Sequence, residues 1–421
     1  MKQEEGEPLD VIGTRLDDVV TKIRGEAGTK VILTVQKPDG EVKDIEIVRE
    51  EVVIDESFAR SLILDMPGYI DNIGYIKLPK FYSSFENENG HSSAEDVAIE
   101  LDKLKAKNVN GVILDLRNNT GGSLQDAINM TGLFIEDGPV VQVKPRERAP
   151  YVHKDTDDGV HYDGPLIVLV NNISASASEI LAAALQDYGR AIVVGSTKTY
   201  GKGTVQRFYD LDRAFPGVSS GPLGSLKVTV QKYFRVNGGS TQLKGVESDI
   251  VLPDNWHYIE SGESNYDNAM EWVEIESAEF GQDIVKFNHL DEIKALSNGR
   301  IANSEKFKLV LENAKRLKEN RDTKEYPIDI DGYTKMMEDR KKESKKFEKL
   351  YDTDVESLKV NNLDVDMDYI NEDESRIARN DEWLKDVKKD FYLEEVLAII
   401  RDMIALEESF SLLNNDRVIR P

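Results

Sequence analysis

The feature that most constrains the fold is a series of short apolar runs with no polar alternation, Gly111 to Leu116, Leu166-Ile-Val-Leu-Val170 and Ala191 to Val194, separated by stretches of helical period. A strand that is apolar at every position has both faces covered, so these runs predict a largely parallel sheet with helices on each side, an α/β architecture. Helices are predicted near Ser93 to Lys107, Leu124 to Phe134 and Ala175 to Tyr188, and further strands at Ile73 to Leu78 and Val140 to Val143, with 144 to 164 read as a charged loop. Leu226, Val228 and Val230 alternate with polar residues, and Tyr233 to Val236 leads into Asn237-Gly-Gly239; these read as antiparallel strands closing the domain.

The two ends differ from this core. Val11, Ile12, Leu16, Val19, Val20 and Ile23 form a helical stripe, followed by β-rich runs at Val31 to Val35 and Val42 to Val48 joined through Pro38-Asp-Gly40. Helix plus hairpin is too little for an independent domain. After Pro253 the β signals stop, and charged helical segments run over 305–319, 334–351 and 382–412, the last with an apolar face of Val396, Ile399, Ile400, Met403 and Leu406.

With 54 Lys plus Arg against 79 Asp plus Glu in 421 residues, the net charge of −25 argues against a nucleic-acid partner. There is no cysteine, which removes disulfides, thiolate nucleophiles and cysteine-bearing zinc sites. The five histidines have no metal-binding spacing, and no metal or cofactor is expected. No apolar stretch of spanning length and no leader-like N-terminus is read in the chain, so it is expected to carry neither a membrane span nor a signal peptide of its own.

Three segments could carry chemistry. Asn171-Asn-Ile-Ser-Ala-Ser-Ala-Ser-Glu179 follows an apolar strand and opens a helix, a turn on which a serine can stand over the sheet end beside the helix N–H groups. Small residues there equally suit close helix packing. Tyr200-Gly-Lys-Gly-Thr204 fails as a phosphate loop, because Gly195 is one position too early and Gly203 replaces the hydroxyl residue after Lys202. A lysine between glycines can instead enter a desolvated space and work as a neutral amine, or it can be an ordinary surface lysine in a turn. Asp115-Leu-Arg-Asn-Asn-Thr-Gly-Gly122 could turn backbone N–H groups toward a carbonyl.

Together, Ser174-Ala-Ser-Ala-Ser-Glu-Ile180, Gln186-Asp-Tyr-Gly-Arg-Ala191, Gly201-Lys-Gly-Thr-Val-Gln206, Asp115-Leu-Arg-Asn-Asn and Phe234-Arg-Val-Asn-Gly-Gly-Ser-Thr-Gln242 resemble the carboxy-terminal processing, or tail-specific, serine proteases of the S41 type, in their long branch. The resemblance implies a ClpP/crotonase-like protease core at 52–254, the C-terminal half of a PDZ domain at 1–51 whose first half is missing from a truncated chain, and a charged helical C-terminal domain at 255–421. It implies Ser176 as nucleophile, Lys202 as general base and Gln206 as the group that orients the lysine. The oxyanion hole falls to Ala177 and to one glycine of the Gly121-Gly122 pair, Gly122 for preference, with Glu179 and Asp187 in support. Thr120 departs from a usual triple glycine, and the loop from Gly195 to Lys202 is one residue longer than usual.

The function it implies is a periplasmic, cofactor-independent endoprotease that cuts unfolded or tagged polypeptides with apolar C-termini, with an adaptor protein as a further partner. A catalytically silent peptide-binding scaffold is the alternative; intact Ser176, Lys202 and Gln206 speak against it.

Overall fold

The computed structural model describes residues 1–4, 7–36, 42–49, 57–83, 90, 92–157, 159–217, 222–281 and 289–418, and side chains as far as 409. The chain divides into two compact units, residues 1–55 and 56–421.

In the smaller unit, β1 (Lys2–Gln3), β2 (Lys30–Gln36) and β3 (Val42–Val48) form an antiparallel sheet in that order, and α1 (Leu16–Ile23) carries the helical stripe. The expected turn at 38–40 and the boundary at 51/52 lie outside the described residues. Among those described, Val31 is the only apolar side chain of this unit that is fully buried.

The larger unit begins with the antiparallel pair β4 (Arg60–Met66) and β5 (Ile70–Lys77). It continues through α2 (Ser93–Ala106), β6 (Gly111–Asp115), α3 (Leu124–Gly132), β7 (Gly138–Pro145), β8 (Tyr151–Asp155), β9 (Leu166–Val170), α4 (Ala177–Asp187) and β10 (Ile192–Gly195). Next come β11 (Thr204–Asp210), α5 (Leu211–Ala214), β12 (Ser225–Phe234) and β13 (Ile250–Val251). The rest is α6 (Leu290–Asn303), α7 (Glu305–Asp322), α8 (Ile330–Tyr351), β14 (Lys359–Asn361), α9 (Met367–Asn371), α10 (Glu374–Lys389) and α11 (Tyr392–Val418).

Seven strands make the main sheet, in the order β13-β10-β9-β6-β5-β4-β14; the pairs from β13 to β5 are parallel and the last two antiparallel. Its central strands explain their own composition. Val112 and Leu114 of β6, with Leu166, Val168 and Val170 of β9, enter one core beside α2, α3 and α4. The intervening Ile113, Ile167 and Leu169 enter a second core with Val396, Leu397, Ile399, Ile400 and Met403 of α11. Each fully buried aliphatic side chain contributes about 1.5–3 kcal/mol, so neither face can be left open.

A separate antiparallel sheet has the order β11-β12-β7-β8. Three expectations are corrected here. The stretch 144–164 is not all loop, since β8 pairs with β7. The β signal does return after Pro253, because β14 adds to the edge strand β4. The helix expected over 382–412 is broken at Asp390, whose carboxylate accepts the Tyr392 N–H and the Arg117 guanidinium and so starts a new helix.

Candidate active site

The serine turn joins the end of β9 to α4. Ser174 and Ser178 are buried and spent on structure: the Ser174 hydroxyl donates to the Leu116 carbonyl at 2.9 Å, and that of Ser178 to the Asn119 carbonyl at 2.9 Å. Ser176 differs in both respects. It is part-exposed, and its backbone has φ +58° and ψ −113° just ahead of α4, a conformation that L residues seldom adopt and that surrounding contacts must hold in place.

Glu179 supplies those contacts. It is fully buried, one turn into α4; one carboxylate oxygen accepts the N–H of Ser176 at 2.7 Å and of Lys202 at 3.0 Å, the other the Thr199 hydroxyl and the Gly201 N–H, each at 2.7 Å. One side chain thus ties the serine turn to the lysine loop. Burial pushes its pKa up to about 7, against the lowering effect of those hydrogen bonds.

The lysine loop is fixed from its other side too. The Lys202 carbonyl accepts the Thr241 hydroxyl at 2.8 Å and the hydroxyl of Tyr233, a buried residue of β12 whose oxygen also lies 3.4 Å from the Ser176 carbonyl. The Gly203 N–H reaches the Gln242 side-chain oxygen at 2.8 Å, and a Cβ at Gly203 would stand 2.7 Å from the Gln242 nitrogen, so the glycine beside Lys202 is there for close approach. Burial, aided by the Lys227 charge, holds the Lys202 amine below its ordinary pKa, while Glu263 and Glu179 pull it back.

The third segment lies against the serine. Asn119 is fully buried: its amide donates to the Leu78 carbonyl at 2.9 Å, its own carbonyl takes the Ala175 N–H at 3.0 Å, and its side-chain oxygen takes the Gly121 N–H at 2.9 Å. A Cβ at Gly121 would lie 2.7 Å from that of Ser176, and one at Gly122 would strike the Phe81 carbonyl. The Gly121 N–H is therefore spent, whereas among the described residues those of Gly122 and of Ala177, at the first position of α4, have no acceptor.

Ser176, Ala177, Glu179, Lys202, Gly121 and Gly122 are thus brought around one turn. Gln206 is not among them; it is exposed on β11, beside a bulge between Val205 and Gln206, and is not hydrogen-bonded to Lys202. Nor do the Ser176 hydroxyl and the Lys202 amine hydrogen-bond to one another. Asp187 stands at the far end of α4, gripping Arg235 at 2.7 and 3.0 Å and Asn237 at 2.9 Å, which fastens the helix to the 234–242 segment. Sequence reading passed over Tyr233, Asn119 and Thr241. All three sit in or beside the segments singled out, but a backbone-bracing role leaves no spacing to recognise.

The peptidase family S41 profile matches residues 72–252, and that of the C-terminal domain of tail specific protease matches residues 256–405. The chain is 42% identical over 333 residues to a tail-specific protease of Haemophilus influenzae, an alignment covering 76% of this chain and 45% of that protein. It is 35% identical over 245 residues to a carboxy-terminal-processing protease of Bartonella bacilliformis, covering 58% and 51%. A solved photosystem II D1 C-terminal processing protease shares 27% identity over 57% of this chain and 60% of that one, at a TM-score of 0.39, too loose a superposition to argue from. The chain spans about half the length of the curated relatives it matches. On these matches, the chain belongs to peptidase family S41.

Proposed function

We propose that the chain is a serine endopeptidase acting on unfolded or tagged polypeptides with apolar C-terminal tails, in the periplasm, through an acyl-enzyme. The observation that carries the reading is the Glu179 carboxylate, which accepts from the backbones of both Ser176 and Lys202 and so holds two chemically unlike side chains to one site. In this mechanism the neutral Lys202 amine takes the Ser176 proton as the serine oxygen bonds to the peptide carbonyl carbon. The carbonyl oxygen becomes an oxyanion that accepts the free N–H groups of Ala177 and Gly122. Collapse breaks the C–N bond, and the lysine ammonium returns its proton to the leaving amine. Water then repeats the cycle on the ester, releasing the acid and Ser176. Gln206 is assigned to the same amine by the family pattern.

The missing hydrogen bond between Ser176 and Lys202 favours a second reading, a silent peptide-binding scaffold. One experiment separates them. Purified wild-type protein should hydrolyse a permanently unfolded polypeptide, and more readily with an apolar than with a charged last three residues; Ser176→Ala should not cut it at all. No cleavage by the wild type, or equal cleavage by both, rejects the peptidase.

A further inference from the structure

We propose that the outer edge of β11 is where the main chain of a polypeptide substrate pairs while it is cut. The proposal rests on the peptidase reading and adds where the substrate backbone is held.

β11 is the edge strand of the sheet β11-β12-β7-β8, and among the described residues only β12 pairs with it. It starts at Thr204, two residues after Lys202, so its edge is continuous with the candidate site. From Gln206 to Asp210 every residue is exposed. Unpaired strand edges are usually shortened, charged or covered, because their open N–H and C=O groups attract another extended chain. This one runs for seven residues, about 23 Å at about 3.3 Å per residue, enough for a comparable length of substrate. The bulge between Val205 and Gln206 bends the strand just where it leaves the lysine loop.

The surroundings favour one occupant. Phe208 is 72% exposed, Phe215 55%, Leu226 53% and Tyr209 48%, an apolar group on and beside a strand that is otherwise solvated. Tyr209 and Leu226 are directly paired across the two strands. A chain added to the edge would set alternate side chains over such residues, so the fit is an extended, apolar stretch of polypeptide. A folded protein has no such stretch to offer; an unfolded one does. Selection of unfolded, apolar segments would then begin at the sheet itself.

The test uses reduced, carboxymethylated lactalbumin as a permanently unfolded probe. Amide hydrogen exchange of the Ser176→Ala protein at saturating probe should slow about tenfold or more at alternate residues of 204–210. In the Ser176-intact protein, Phe208→Ser and Tyr209→Ser should each raise KM for the probe several-fold with kcat little changed, roughly the loss of one apolar contact. Protection appearing elsewhere but not on β11 overturns the proposal, as does protection on β11 that is already present without probe and disappears on dilution, which would mark a second copy of the chain as the occupant. If the wild type cuts the probe and β11 stays unprotected, the edge is wrong and the peptidase stands. If it does not cut the probe, both fall.

Discussion

The two sheets of the larger unit treat their residues in opposite ways. In the seven-stranded sheet, β6, β9 and β10 are buried at every position, and the turn that leaves β9 is pinned by the Ser174 and Ser178 hydroxyls and by Glu179. In the four-stranded sheet, β11 and the first half of β12 are mostly exposed, and among the described residues nothing pairs with the outer edge of β11. Ser176 stands on the first and Lys202 at the passage between them, with Glu179 fastened to both. The contrast teaches a division of labour: strain at a reactive residue needs a rigid surround, while a partner of variable sequence needs an open one.

The largest effect should come from the rigid side. Ser176→Ala should lower kcat by at least about a thousandfold and change the melting temperature little, since its part-exposed hydroxyl does no more than cap the start of α4. Ser174→Ala and Ser178→Ala should do the reverse, keeping most activity while losing about 1 kcal/mol, because each removes one of the two donors to a buried carbonyl. Equal behaviour of the three serines in paired activity and denaturation assays would erase the distinction drawn here.

Lys202→Arg should be as inactive as Lys202→Ala, because a guanidinium does not give up its proton. Wild-type kcat/KM should climb with pH as the amine becomes neutral, with a midpoint below the about 10.4 of a free lysine, in the direction that burial dictates. An active arginine variant would remove the base from this loop.

Glu179→Gln should cost about a hundredfold in kcat, for whichever way the amide turns, one pair of donors loses its acceptor. The pH dependence has a definite sign. Its folded-state pKa of about 7 lies above the about 4.3 of an exposed glutamate, so its stabilising share is complete below about pH 4.3 and is lost as pH rises through 7. Thermal melts of the wild type should therefore fall across that window, and melts of Glu179→Gln should lack the step.

Gln206→Ala should have the smallest effect, a few-fold in kcat/KM at most, since an exposed side chain without a bond to the lysine has little to lose. A collapse of activity comparable to that of Lys202→Ala would mean that β11 rearranges when substrate arrives.

What could be read from sequence followed the same line between buried and open. Leu166 to Val170 was legible to the residue, because a strand covered on both faces has no alternative pattern. β4 and β8 were not: Arg60-Ser-Leu-Ile-Leu-Asp-Met66 mixes apolar and polar residues, and Tyr151-Val-His-Lys-Asp155 pairs at an edge with little burial. Of the site, the serine turn and the glycine-flanked lysine were legible as segments, and Ser176 was singled out among its neighbours only through the family resemblance; that Glu179 joins the two depended on a contact over twenty residues, which no local pattern encodes. The break at Asp390 was hidden for the same reason, its cause being Arg117 on another strand's end.

The family boundary between 252 and 256 is not a boundary for folding. Gly111 on β6 lacks a side chain where the Ile400 methyl of α11 presses within 2.9 Å of its missing Cβ, and α11 closes the second face of the sheet from which the serine turn projects. During synthesis, Ser176 and Lys202 leave the ribosome long before that helix exists. The sheet stays half-covered until α11 has been made, so the serine turn and the lysine loop gain their full support only once a helix about two hundred residues further along has closed over the sheet behind them.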